Sequence, residues 1–200
     1  MTTNNHLPMT GFLDYVLTAG TSRITTIKQI DLGKYEAAHD FYRPVREAIV
    51  EMHQAGLDTV VLDDLLASLV DPRERRIFPK VVNGYKKFLR QGKVTWFEPP
   101  MRDYPLGPIK VRVAPEVGLL VDGKPHVIAL SFRGLTAMDP RRIGLTTTLL
   151  ADALGTTWPG TTFAVLDVRA AKLYTHRPRA EHGLLLRAEA LCFAHLAGAL

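Results

Sequence analysis

Apolar side chains recur along this sequence in two rhythms, one of three and four residues and one of two, and the change from the first to the second divides it. From Tyr35 to Ala55 the residues Ala38, Phe41, Tyr42, Val45, Ile49 and Met52 return at helical spacing, and Gly56 supplies a stop. Pro44 lies inside this run; with Asp40 as N-cap it falls in the first turn, where no internal N–H bond is lost. A shorter helix follows, with Leu62, Leu65, Leu66 and Leu69 on one side. Asp71-Pro72 is a good N-cap and first-turn pair. The helix it opens is expected to reach Gln91 and stop at Gly92, with Pro79 kinking or splitting it. Nearer the start, Thr10 can cap a short helix from Gly11 to Ala19, closed by Gly20. Ile24, Ile27 and Ile30 stand three apart among β-branched residues, which leaves helix and strand both open for residues 22–30.

From Lys93 onward the two-residue rhythm takes over. Lys93 to Glu98 (KVTWFE) reads as the first strand, and the proline-rich stretch Pro99 to Pro108 as a surface loop. The organising stretch is Ile109 to Gly134, expected to form two strands joined at Asp122-Gly123, a pair that tolerates the positive φ a two-residue turn requires. On the second arm Ile128, Leu130 and Phe132 share one face, and Val127, Ala129, Ser131 and Arg133 the other. On the first arm Lys110 and Arg112 oppose Val111 and Val113. After Pro115 the run VGLLV is apolar on both faces, as in a strand entering the centre of a sheet, and Glu116 sits at that entry. Asp139-Pro140 opens another helix, packed through Ile143, Leu149, Leu150, Ala153 and Leu154 and ended by Gly155. Thr162 to Arg169 is an apolar strand, onto which Lys172 to Thr175 can pair back across Ala170-Ala171. The last helix, Glu181 to Ala199, is apolar nearly all round and is expected to bury itself in the fold or against another subunit. The fold class that follows is α/β: a central mixed, mostly antiparallel sheet flanked by helices, in one domain with a mainly helical portion over 1–92 and a sheet-containing core over 93–200.

Pro115-Glu116 on one strand, then a hairpin, then an apolar strand leading into a helix, resembles the PD-(D/E)XK nuclease superfamily in the order of elements over roughly residues 35 to 175. The resemblance implies a restriction-endonuclease-like core, helix, three antiparallel strands, helix, strand. Its first acidic residue lies on the second strand, and an acidic residue and a lysine two apart lie on the third. Glu116 matches the first element. The third-strand positions correspond to Ala129 and Ser131, which supply neither a carboxylate nor an ammonium. Metal-assisted phosphodiester hydrolysis needs carboxylate oxygens to hold Mg²⁺. A working site would therefore have to recruit Asp167 beside Glu116, or Glu47 or Glu51 from the upstream helix. Without them Glu116 is a strand-end carboxylate that caps or pairs with Arg112 or Arg133.

Charge sharpens the functional reading. The net charge is only +5, but residues 72–112 carry 11 Lys/Arg against 3 Asp/Glu, while residues 1–71 carry 5 against 10. At about 100° per residue, Arg73, Arg75, Arg76, Lys80, Lys86, Lys87 and Arg90 fill one half of the Pro72–Gln91 helix with no acid among them. Ile77, Phe78, Val81, Val82, Tyr85, Phe88 and Leu89 fill the other half. Such a face fits phosphates or an acidic protein surface; a plain solvated basic face is the alternative. Arg141 and Arg142 in the first turn after Asp139 make a second candidate anion site beside free N–H groups, with local pairing to Asp139 as the competing expectation. Met101, Arg102 and Tyr104 on the proline-rich stretch could stack on bases.

Other chemistries lack a foothold. No phosphate-loop, dinucleotide or serine-elbow motif occurs. The seven histidines show no pair at metal-binding helix spacing, and the single Cys192 excludes an intrachain disulfide and reads as a small core side chain. No basic segment followed by an apolar run opens the sequence, and no apolar stretch approaches a membrane span, so the cytoplasm is the expected location. Three readings follow. The first is a nucleic-acid-binding protein with an incomplete nuclease-like core and no cofactor. The second is an active nuclease in which Glu116 and Asp167 hold Mg²⁺, with Glu47 as a further catalytic candidate. The third is an assembly module that forms a homo-oligomer through residues 181–199. In the first reading Arg73, Arg76, Lys80, Lys86, Lys87, Arg90, Arg141 and Arg142 contact the nucleic acid.

Overall fold

Helices and strands run through most of the computed structural model, which describes residues 7–31, 40–132, 138–175, 177 and 179–200. The start of the helix expected from Tyr35, with Ala38, and the residues Arg133 and Gly134 lie outside the described residues. After a two-residue strand β1 (Leu7–Pro8) come the helices α1 (Met9–Leu17), α2 (Ser22–Asp31), α3 (Arg43–Gln54), α4 (Val60–Ser68) and α5 (Pro72–Leu89). Residues 22–30, open in the sequence, are thus helical, with Ile27 buried. Asp71 caps α5 by accepting from the Arg73 and Glu74 amides. Of the two outcomes expected at Pro79, a kink or a split, the split does not occur: one helix continues through it. Phe78, Val81, Val82, Tyr85 and Phe88 are all buried on one side of it, and that burial outweighs the roughly 3 kcal/mol that an internal proline costs.

The strands are β2 (Val94–Phe97), β3 (Arg102–Leu106), β4 (Ile109–Val113), β5 (Val117–Val121) and β6 (Lys124–Ser131). After helix α6 (Pro140–Leu154) come β7 (Thr162–Asp167), β8 (Lys172–Thr175) and helix α7 (Ala180–Gly198). Five strands form the main sheet in the order β2-β5-β6-β7-β8, with β6 and β7 parallel across α6 and the other pairings antiparallel. The fold is α/β, a mixed and mostly antiparallel sheet flanked by helices, with a helical N-terminal part. Asp122 and Gly123 form the β5–β6 turn with φ of 49° and 79°, the two positive values a tight hairpin of this kind demands.

Two expectations are corrected. The stretch Pro99 to Pro108 is not loop throughout: Arg102–Leu106 is a strand that pairs antiparallel with Ile109–Val113 through a Gly107-Pro108 turn. The strand sits at the edge of a second, three-stranded sheet β1-β4-β3, the position where a proline such as Pro105 is tolerated because its missing N–H faces outward. The stretch from Ile109 to Val121 is also not one arm of a hairpin. It breaks at residues 114–116 into β4 and β5, which belong to different sheets.

The faces of β6 follow the alternation read from the sequence. Val127 and Ala129 join a core made with α1, α6, α7 and the small sheet, whereas Ile128, Leu130 and Phe132 join a second core under α3, α4 and α5. Helix α7 buries only one side, through Leu186, Ala190 and Phe193; Leu184, Leu191 and Cys192 are exposed, so Cys192 is not the core side chain expected.

Candidate functional site

The break between β4 and β5 puts Glu116 at the point where the β5–β6 ladder ends. Val117 and Ile128 are the last ladder pair on that side, and beyond them the Leu130 N–H donates to Glu116 Oε2 at 2.9 Å. The carboxylate replaces a backbone acceptor that the departing chain no longer offers. Its other oxygen lies 3.3 Å from Nε of Arg46 on α3. That guanidinium also pairs with Asp40 and stands 5.2 Å from the centre of the Phe132 ring. Burial raises the Glu116 pKa above the ordinary carboxylate value, while the Leu130 amide and Arg46 pull it back down.

The other two carboxylates lie elsewhere. Asp167 ends β7 opposite Ser131, on the face that Phe163 and Val165 give to the first core, and it accepts from the Ala170 N–H at 3.1 Å. Glu116 instead meets Arg46 and Phe132 on the side of the second core, so the sheet separates the two. Glu47 points outward from α3 and bridges to Arg43 at 2.7 Å, both side chains more than half exposed. Among the described residues no group of three His, Cys, Asp or Glu is placed to hold a metal ion. The partner of Glu116 in this fold is a cation, which no spacing in the sequence could reveal, because Arg46 is 70 positions away on a helix whose docking depends on the whole second core.

The basic face of α5 resolves into engaged and free members. Lys86 is nearly buried and pairs with Asp63 of α4 at 2.6 Å. Arg73 lies over the Phe41 ring at 4.3 Å, and Arg75 donates to the Leu69 carbonyl at 2.7 Å. Arg76, Lys80, Lys87 and Arg90 remain exposed, and none has an ion pair among the described residues. Their spacing of four, seven and three residues aligns them, with exposed Asn83 between, directly opposite Phe78 and Tyr85 in the core. At 1.5 Å rise per residue the row is about 21 Å long.

Arg141 and Arg142 part company. Arg142 pairs with Asp14 of α1 rather than with Asp139, whose carboxylate caps α6 by accepting from the Arg141 N–H at 2.9 Å. The Arg141 side chain is exposed at the mouth of a cleft. On the small sheet, Arg102 is exposed and donates through Nη1 to the Ala153 carbonyl at 3.1 Å. No described helix is long and apolar enough to cross a membrane. In comparisons with known protein families, curated proteins and solved structures, nothing matches this chain.

Proposed function

We propose that this protein binds nucleic acid through the outer face of α5 and does not cleave it. The observation that carries the reading is the row Arg76, Lys80, Lys87 and Arg90: four cations on a rigid helix, all exposed, of one sign, and unneutralised by any described acid. Phosphates along a strand of duplex are about 3.4 Å apart along the axis, so a row of this length faces several in succession. The non-cleaving part rests on Glu116, whose oxygens serve the Leu130 amide and Arg46. The resemblance to PD-(D/E)XK nucleases is kept as an evolutionary proposal, in which an incomplete core has retained binding.

The test is fluorescence anisotropy with labelled duplex DNA and single-stranded RNA. Lys80→Glu with Lys87→Glu is expected to weaken binding at least a hundredfold with an unchanged circular dichroism spectrum; unaltered affinity rejects the α5 surface. Incubation with Mg²⁺ or Mn²⁺ is expected to leave both nucleic acids intact. Cleavage that disappears in Glu116→Ala establishes the nuclease reading instead.

A second reading, self-association, is favoured by one feature: Leu184 and Leu191, seven residues apart on α7, are 66% and 61% exposed.

A further inference from the structure

A cleft of about 670 Å³ opens between the N-terminal turn of α6, strand β8 and the start of α7. Its size falls within the range of small-molecule sites, a few hundred to about 1,000 Å³. Arg141, Arg177, Arg179 and His182 line it, and among the described residues no acidic side chain does. None of the three guanidinium groups has an ion pair among the described residues. The nearest acids in sequence are Asp139, committed to the Arg141 amide, and Glu181, exposed on α7.

Two further observations single out this cleft. The His182 ring is seated against Gly144 of α6, where an added Cβ would lie 2.2 Å from its Cε1. The Nδ1 of that ring is buried without a hydrogen-bond partner. Helix α7 also starts without a side-chain cap, and its N-cap Arg179 lies on the rim of the same cleft.

From these features we infer that the cleft binds a small organic phosphate. Three uncompensated guanidiniums exceed what one carboxylate can neutralise. A phosphoryl dianion matches them, because the planar donor forks of arginine pair with its oxygens two at a time. The volume far exceeds that of a bare phosphate, and Met138, Ile143 and Leu173 give the remainder of the cleft an apolar lining suited to the body of an organic ligand. The inference does not depend on nucleic-acid binding by α5, which lies against the opposite face of the main sheet.

Titration calorimetry on the full chain tests it with adenosine 5′-monophosphate, adenosine and inorganic phosphate as probes. The expected result is saturable binding of the monophosphate, weaker binding of inorganic phosphate and none of adenosine. Arg141→Gln and Arg179→Gln are each expected to weaken the monophosphate about tenfold or more. Gly144→Ala, which displaces the His182 ring, is expected to weaken it as well, with a far-ultraviolet spectrum like that of the wild type. Lys80→Glu with Lys87→Glu is expected to leave this affinity unchanged. Absence of saturable binding by the folded wild-type protein, or equal affinity in the Arg141→Gln, Arg179→Gln double variant, overturns the proposal. Inorganic phosphate binding as tightly as the monophosphate overturns its organic-ligand part.

Discussion

Glu116 and His53 show how differently two partly buried polar side chains can be used by one fold. Glu116 costs free energy to desolvate and returns it as the acceptor for a strand-end amide. Replacing it with alanine leaves the Leu130 N–H unpaired, at about 1–3 kcal/mol. Glutamine keeps an acceptor oxygen and sheds the buried charge, so its cost is expected to stay below about 1 kcal/mol. Urea denaturation of the two variants distinguishes these outcomes, and equal stability of both would refute the strand-capping role. His53 is stacked on Trp96 with its Nε2 2.7 Å from the Tyr85 hydroxyl, and burial pushes its pKa down to about 4 from 6.5. The unfolded chain takes up that proton as pH falls through about 6.5, whereas the native state refuses it until about 4. The His53 contribution is therefore complete above pH 6.5 and lost as pH falls toward 4. After allowance for partial solvent access it amounts to about 2 kcal/mol. The denaturation midpoint of the wild type is expected to drop more between pH 7.5 and 4.5 than that of His53→Phe; parallel declines would refute this account.

Among the elements, α5 and α7 were the two helices whose faces carried a functional reading, and they differ in how far it was legible. The sequence identified which half of α5 is basic, since helical periodicity alone assigns faces. It could not say that Lys86 and Arg73 would be consumed by Asp63 and Phe41, contacts made across 23 and 32 positions. Close packing at Gly84 is equally invisible in one dimension: a Cβ there would lie 2.1 Å from the Val168 carbonyl oxygen, so α5 rests on the backbone that follows β7. For α7 the near-continuous apolar composition implies burial in the fold or against another subunit, and within this fold one side is covered, by α1, α6 and the small sheet among others. If the uncovered side is a contact between copies, light scattering is expected to show a molar mass that rises with concentration and returns to that of a monomer in Leu184→Glu with Leu191→Glu. A mass of 22.2 kDa at every concentration rejects self-association.

Over the whole molecule, charge is divided between two surfaces on opposite sides of one sheet: the α5 row outside the second core, and the arginine-lined cleft beside the first. If the four free cations of α5 each release a counterion on binding duplex DNA, log K falls against log salt with a slope of about −3.6, roughly a hundredfold between 50 and 200 mM. A slope near zero would mean that binding, where observed, does not use this row. Alternation and helical spacing are local properties, and they sufficed for the Asp122-Gly123 turn, the two faces of β6 and the polarity of α5. The edge strand Arg102–Leu106 escaped because Pro105 and the prolines flanking the strand read as loop signals, and only the position at a sheet margin makes Pro105 harmless. Assembly in three dimensions alone placed Arg46 on Glu116, set Asp167 on the other side of the sheet, and brought Arg141, Arg177, Arg179 and His182 from separate segments to one cleft. The reason is physical: periodicity tells which way a side chain faces within its own element, while the identity of its neighbour depends on how elements dock.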